Sequence, residues 1–292
     1  MRHNCTVFET HSEPIPLRRR SGPVTATVEA AEPLTPLAVR VHLSCPELFS
    51  GAPPAVAAWV RGRFPVETAA PVTPSAASDS APAADAAPDL EASQSTAGLP
   101  GPALAARAYT LVEMDPAAGR FALDFVLHGS GPAASWARQA APGQQLEISR
   151  PLGRARIDPK HRHYLLAGDA TALPAIREWL RLLPDQATAA VRVWLPAQSE
   201  VQELGGRSGI DLKWFFPGDP SMAELAEAGS LAPAGWTPAD PETRFVVAGE
   251  AGEVTRVRRA VSWDAKPLPG NLHAAGYWRR GKPSDGAAVE LG

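Results

Sequence analysis

HYLLAGDATALPAIREWLRLLP, running from His163 to Pro184, changes its periodicity part-way along, and that change decides the fold. The apolar run Tyr164–Ala167 reads as a buried strand, and Gly168-Asp169 as a sharp turn. Thr171 and Pro174 then open a segment in which Ile176, Trp179, Leu180 and Leu183 fall on one helical face. A strand that turns tightly into a helix offers free backbone N–H groups and the positive end of a helix dipole, which together suit a phosphate.

The same alternation continues to the C-terminal side. Strand candidates at Ala190–Leu195, Leu212–Phe216 and Arg244–Ala248 alternate with helix candidates at Leu173–Leu183, Met222–Ala228 and Gly252–Val261. This pattern predicts an α/β domain over residues 158–292, built on an open, mostly parallel sheet of nucleotide type. Ligands of such sheets bind beyond the carboxyl ends of the strands, where Gly168-Asp169 and Gly249-Glu250 fall.

To the N-terminal side the pattern is different. Six short strands are expected, at Val24–Glu29, Ala38–Leu43, Trp59–Phe64, Ala106–Glu113, Arg120–Leu127 and Gly143–Ser149. The fourth and fifth read as an antiparallel pair joined by the turn-prone Asp115–Gly119. Together they predict an antiparallel six-stranded β-barrel over residues 22–157. Residues 1–21 read as a flexible basic leader. Between Ala69 and Pro102, 34 residues hold 11 Ala, 6 Pro and 5 Ser, with no aromatic, Lys or Arg. Such a composition cannot bury enough apolar surface to offset its ordering entropy, so a disordered insertion is expected over 66–103.

Composition narrows the function classes. The net charge of −3 and pI near 6.2 give no basis for bulk nucleic-acid binding. Only Cys5 and Cys45 occur, which argues against a disulfide framework or a cysteine zinc site and fits a reducing compartment. No apolar run approaches the roughly 20 residues of a membrane span. The polar stretch behind Arg18–Arg20 does not make an export signal. A cytoplasmic monomer without membrane insertion is expected. His161 and His163 could face one way from a strand, but no third ligand follows, so no metal site is expected.

Four separated segments carry chemistry: Arg107–Thr110 (RAYT), Phe125–Ala137 (FVLHGSGPAASWA), Gly168–Ile176 (GDATALPAI), and Val247–Ala251 (VAGEA) with Gly276–Gly281 (GYWRRG). Strand alternation puts Arg107 and Tyr109 on one side and Thr110 on the other. A guanidinium can bind a pyrophosphate bidentately. His128, Gly129 and Gly131 make a glycine-rich turn into a short helix, where backbone donors accumulate. Asp169 reads equally as a ligand contact or as a helix N-cap.

With these segments in this order, the chain closely resembles the siderophore-interacting protein family, FAD-dependent ferric-siderophore reductases of the ferredoxin–NADP reductase superfamily. The resemblance runs from about residue 22 to 282. It implies that the barrel binds FAD through Arg107, Tyr109, Thr110, Phe125, His128, Gly129, Gly131, Pro132, Ala133, Ser135 and Trp136. It further implies a nicotinamide or flavin-facing contact at Asp169, Thr171 and Ala172, and a cofactor-covering aromatic at Trp278. A cationic cleft for the ferric siderophore is implied around Arg61, Arg256, Arg259 and Lys282, although a solvated helix face accounts equally well for the arginines around Arg256–Arg259. The implied activity is FAD-dependent reduction of an Fe(III)-siderophore, with NADH, NADPH or ferredoxin as electron donor and no side chain acting as acid or base. The alternatives are a flavin oxidoreductase with another acceptor and a redox-inactive siderophore-binding protein. Three departures from the family pattern stand out: Val112 where a basic residue is usual, Arg150 in place of the first Gly of GPxG, and no basic residue in Trp214–Pro217.

Overall fold

The computed structural model describes residues 22–51, 53–66, 103–205, 208–218, 231–262, 266–282 and 289–290. The leader 1–21, residues 67–102 of the insertion and the helix candidate Met222–Ala228 lie outside the described residues.

The N-terminal domain is one antiparallel sheet of β1 (Val24–Thr35), β2 (Ala38–Ser44), β3 (Trp59–Pro65), β4 (Leu104–Thr110), β5 (Val112–Asp115), β6 (Arg120–Val126) and β7 (Gln145–Ile148). Their order is β4-β3-β7-β1-β2-β6-β5. The two outermost strands, β4 and β5, are separated in sequence by Leu111 alone, so the sheet closes on itself as a barrel. The expected strand Ala106–Glu113 is therefore real but broken. Its first part pairs with β3, and only Val112 and Asp115 pair with β6, with a register shift between them. The cause is local. Leu111 N–H still follows β3, donating to Ala58 O at 2.8 Å in the register of the β3–β4 pair, and Glu113 then takes φ +50°, a conformation that rotates the chain out of extended geometry.

Alternation fills the barrel. Val24, Ala26, Val28, Leu43, Val60, Phe64, Leu123, Phe125 and Ile148 point inward and are buried. Each large side chain among them contributes about 1.5–3 kcal/mol by leaving water. The short helix α1 (Pro132–Arg138) packs Ala133 and Ala137 into the same core, with Pro132 pre-set for its first turn.

The C-terminal domain contains β8 (His163–Asp169), α2 (Leu173–Leu182), β9 (Thr188–Trp194), β10 (Ile210–Phe215), β11 (Thr243–Glu250), α3 (Ala251–Val261), β12 (Leu272–Trp278) and β13 (Val289–Glu290). Their sheet order is β10-β9-β8-β11-β12-β13, parallel except for β13. Adjacent residues serve opposite faces. Leu166, Val191 and Val246 pack against Ile176, Trp179 and Leu180 of α2, while Ala167 and Val247 pack against Val254 and Val257 of α3. The sequence pattern anticipates every described strand here except β12 and the two-residue β13. Among the described residues no helix is long and apolar enough to cross a membrane.

The two domains meet along the outer face of β2 and β6. Asp124 on β6 accepts from Arg40 Nε at 2.7 Å and Arg40 Nη2 at 2.8 Å, and from Arg177 Nη1 of α2 at 2.7 Å. Glu113 completes the set as an ion pair with Arg40. Nearby, the buried Glu200 accepts from Leu37 N–H at 3.2 Å and from the Thr35 hydroxyl, closing over the β1–β2 hairpin.

Candidate functional site

Numbered along the chain, the five parallel strands run 3-2-1-4-5 across the sheet, and the winding reverses between β8 and β11. Their carboxyl ends diverge there and leave the crevice in which such sheets bind ligands. Asp169 ends β8 and Glu250 ends β11.

Asp169 gathers four donors at that point. Its Oδ1 accepts from Thr171 N at 2.8 Å and Thr171 Oγ1 at 2.5 Å, and its Oδ2 from Glu250 N and Trp278 Nε1, each at 2.8 Å. The approach depends on Gly249, at φ +133°, where a Cβ would stand 2.7 Å from the Asp169 carboxyl carbon. Burial pushes the Asp169 carboxyl above its ordinary pKa, against the opposing pull of these hydrogen bonds. Glu250 caps α3: its Oε2 accepts from Glu253 N at 2.9 Å, and its Oε1 from Arg280 N at 3.2 Å. Burial also raises the neighbouring Tyr277 hydroxyl, to about 12.

Trp278 extends this knot toward the barrel. Its ring lies 5.5 Å from that of His128, which leads the glycine-rich turn after β6. In that turn Gly129 has φ +65°, and a Cβ on either Gly129 or Gly131 would meet no atom within 4 Å. Arg138, at the end of α1, reaches back to the carbonyls of Gly129 at 3.1 Å and Leu127 at 3.3 Å and fixes the turn.

Arg107 and Tyr109 project from β4 on the side of Gly62 and Val60, and Thr110 lies on the other side with Trp59, as strand alternation requires. The Tyr109 ring stands 4.3 Å from Phe125 and 5.8 Å from Phe64, and burial raises its hydroxyl pKa. Trp136 of α1 closes this cluster at 5.5 Å from Phe64. Arg107 donates to the carbonyl of Ala106 at 2.7 Å and, among the described residues, has no carboxylate within ion-pair distance. A half-buried guanidinium without a counter-ion, an open glycine turn and an adjacent aromatic are what a flavin dinucleotide needs. The residues fit that group.

Not every candidate side chain faces the site. Phe125 is fully buried, so its side chain belongs to the barrel core and gives a cofactor no surface. Ala133 is likewise core. Ala172 is buried against Gly168, where a Cβ on the glycine would come within 2.4 Å of it. The substrate candidates are not brought together. Arg61 is exposed on the Trp59 side of β3, its guanidinium 5.6 Å from that ring and on the face opposite Arg107. Arg256 is engaged by Glu253 one turn earlier on α3. Arg259 is exposed on the ninth residue of that helix, carried about 12 Å along the axis from the crevice end by the rise per residue. Lys282 is exposed beyond the end of β12. Arg138 shapes the site but is not among the residues the sequence singles out, and Glu250 is singled out only by its place at a strand end, not as a cap. A carboxylate followed three residues later by Glu253, ahead of an amphipathic run, is the signal that marks Glu250 as a cap.

A flavin-fitting barrel joined to a 3-2-1-4-5 sheet defines a two-domain fold of the flavin-binding class. Two family models cover most of the chain: one described as the siderophore-interacting FAD-binding domain matches residues 27–155, and one described as siderophore-interacting protein matches residues 161–281. The chain belongs to the siderophore-interacting protein family. It is 29% identical over 268 residues to the mycobactin import ATP-binding/permease protein IrtA of Mycobacterium tuberculosis, covering 88% of this chain but only 26% of that protein's length. It is 29% identical over 178 residues to the ferric vibriobactin reductase ViuB of Vibrio cholerae, covering 60% of this chain and 65% of ViuB. Among solved structures, a siderophore utilization protein from T. fusca superimposes with a TM-score of 0.67 at 26% identity, over 91% of this chain and 96% of that one.

Proposed function

We propose that this protein is an FAD-dependent ferric-siderophore reductase that takes electrons from a nicotinamide dinucleotide. The observation that carries this reading is the position of the Arg107–Tyr109 strand and the Gly129–Gly131 turn, which are joined through His128 and Trp278 to the switch-point crevice of the α/β domain. When bound, FAD supplies the chemistry: it accepts two electrons as a hydride and gives them up singly to Fe(III), whose hard oxygen ligands hold the resulting Fe(II) far more weakly. The chain's own residues position and shield. Arg107 is placed to hold a pyrophosphate by a charge-assisted pair, and the turn at Gly129–Gly131 to offer it backbone donors. Tyr109 supplies an aromatic wall. Thr110, on the far side of the strand, is the hydroxyl assigned to the flavin edge. The carboxyl ends of β8 and β11 are the place for the dinucleotide, with Asp169 fixing the local backbone rather than touching the ligand, because its oxygens are already engaged by four donors. No acid or base is required at iron.

An anaerobic visible spectrum of the FAD-loaded protein tests the reading. Flavin bands should bleach with NADH or NADPH and return on addition of a ferric catecholate or hydroxamate chelate. Bleaching by dithionite or reduced ferredoxin alone would keep the reductase and replace the donor. Failure to take up FAD would overturn the reading.

A further inference from the structure

The strand β6 and the turn that follows it touch the α/β domain at two separate points. Asp124 faces outward to Arg177, and four residues later His128 meets Trp278. Both points lead back to one element. Arg177 lies on α2, and Trp278 is tied to Asp169, which caps the turn that begins α2. The path Asp124–Arg177–α2–Asp169–Trp278–His128–β6 is therefore a closed ring of contacts passing through both domains. Its first contact is well built. The Asp124 side chain is 6% exposed and receives three charge-assisted hydrogen bonds, while Arg177 also donates to the Glu203 carbonyl at 3.2 Å and to Gln202. The strand that anchors the ring also faces the proposed flavin site, because Phe125, next to Asp124, packs directly on Tyr109.

We propose that Asp124 and Arg177 are positioning residues. With His128 and Trp278 they clasp the domains at two points and so set the distance between the flavin on β4 and the donor at the β8–β11 crevice. This rests on the reductase reading above. Glu200 adds a further contact at the β1–β2 hairpin, and several separated contacts together oppose rotation of one domain on the other. Transfer between groups held by different domains depends steeply on their separation, whereas FAD binding and oxidation by a chelate do not require the α/β domain to be in register.

The test separates the half-reactions. Arg177→Met keeps an unbranched apolar stem and removes the guanidinium with its charge. It should leave FAD affinity and reoxidation of dithionite-reduced protein by a ferric chelate within about two-fold of wild type, and slow flavin reduction at saturating dinucleotide by about 10-fold or more. Arg177→Lys should recover most of that rate. Reduction at the wild-type rate in Arg177→Met would overturn the proposal, as would an equal fall in FAD affinity, reduction and reoxidation, which is the mark of general damage. Calorimetry gives a readout independent of the donor: the wild-type endotherm should be single and that of Arg177→Met should separate into two. If the wild-type flavin is not reduced by either dinucleotide, the donor reading fails by itself and the endotherms decide the clasp. An unsplit endotherm in the folded variant then overturns it.

Discussion

The indole N–H of Trp278 donates to Asp169 Oδ2 at 2.8 Å, so a side chain from the fifth parallel strand is held at the carboxyl end of the first. Since β11 lies between β8 and β12, the indole must span the mouth of the switch-point crevice to make this bond.

Trp278→Phe retains an aromatic ring against His128 and removes the N–H. A hydrogen bond to a buried carboxylate is worth about 1.5–3 kcal/mol, and urea denaturation should show a loss in that range. A variant as stable as wild type would mean that Asp169 finds another donor.

Arg107→Gln removes the cation expected to meet the pyrophosphate. FAD affinity, read by quenching of flavin fluorescence, should weaken about 10- to 100-fold while circular dichroism stays unchanged. Among the described residues the guanidinium has no carboxylate partner to lose, so stability should hardly move.

Two glycines should respond in opposite ways. A Cβ at Gly168 would stand 2.4 Å from both the Ala172 Cβ and the Ala248 carbonyl oxygen, so Gly168→Ala should cost about 2 kcal/mol or more in urea. Gly131→Ala meets open space and should stay within about 0.5 kcal/mol. Any effect of that substitution should appear in FAD affinity instead. Equal losses in the two variants would contradict this assignment of packing and ligand roles.

Glu250 gives stability a pH dependence of known sign. Burial pushes its pKa up, but the N–H groups of Glu253, Arg280 and Gly252 and the charge of Arg280 outweigh this and hold it below its ordinary value of 4.5. The folded chain therefore binds fewer protons at this group than the unfolded chain does. Its stabilisation is present above about pH 4.5 and is lost as the pH falls through the folded value. The gap in urea midpoint between wild type and Glu250→Gln should narrow as the buffer is taken from neutral toward about pH 3.5. A gap independent of pH would contradict the assignment.

Much of this was legible in the sequence because it is local. Tyr164–Leu183 announced a strand, a turn and a helix by periodicity, and the alternation of Arg107, Tyr109 and Thr110 was enough to assign their sides. The break at Leu111 was not legible, since Glu113 adopts a positive φ without being Gly or Asn. Nor was β12, whose sequence LHAAGYW has no β-branched residue and owes its place to burial beside the parallel strand β11. The Arg40–Asp124–Arg177 set joins residues 84 and 53 positions apart, a relationship that no local pattern carries.

β3 leaves the barrel at Pro65 and β4 returns at Leu104, and these residues are direct partners in the ladder, closed by Val66 N–H on Ala103 O at 2.7 Å. The β3–β4 ladder itself requires only that the two ends of this connection meet. Closing a flexible loop costs only about 0.6 kcal/mol more for each doubling of its length. Chain length at this position is thus nearly decoupled from folding. A connection of another length between Val66 and Ala103 should leave both strands in register, which makes this position a natural port for a reporter or a tether.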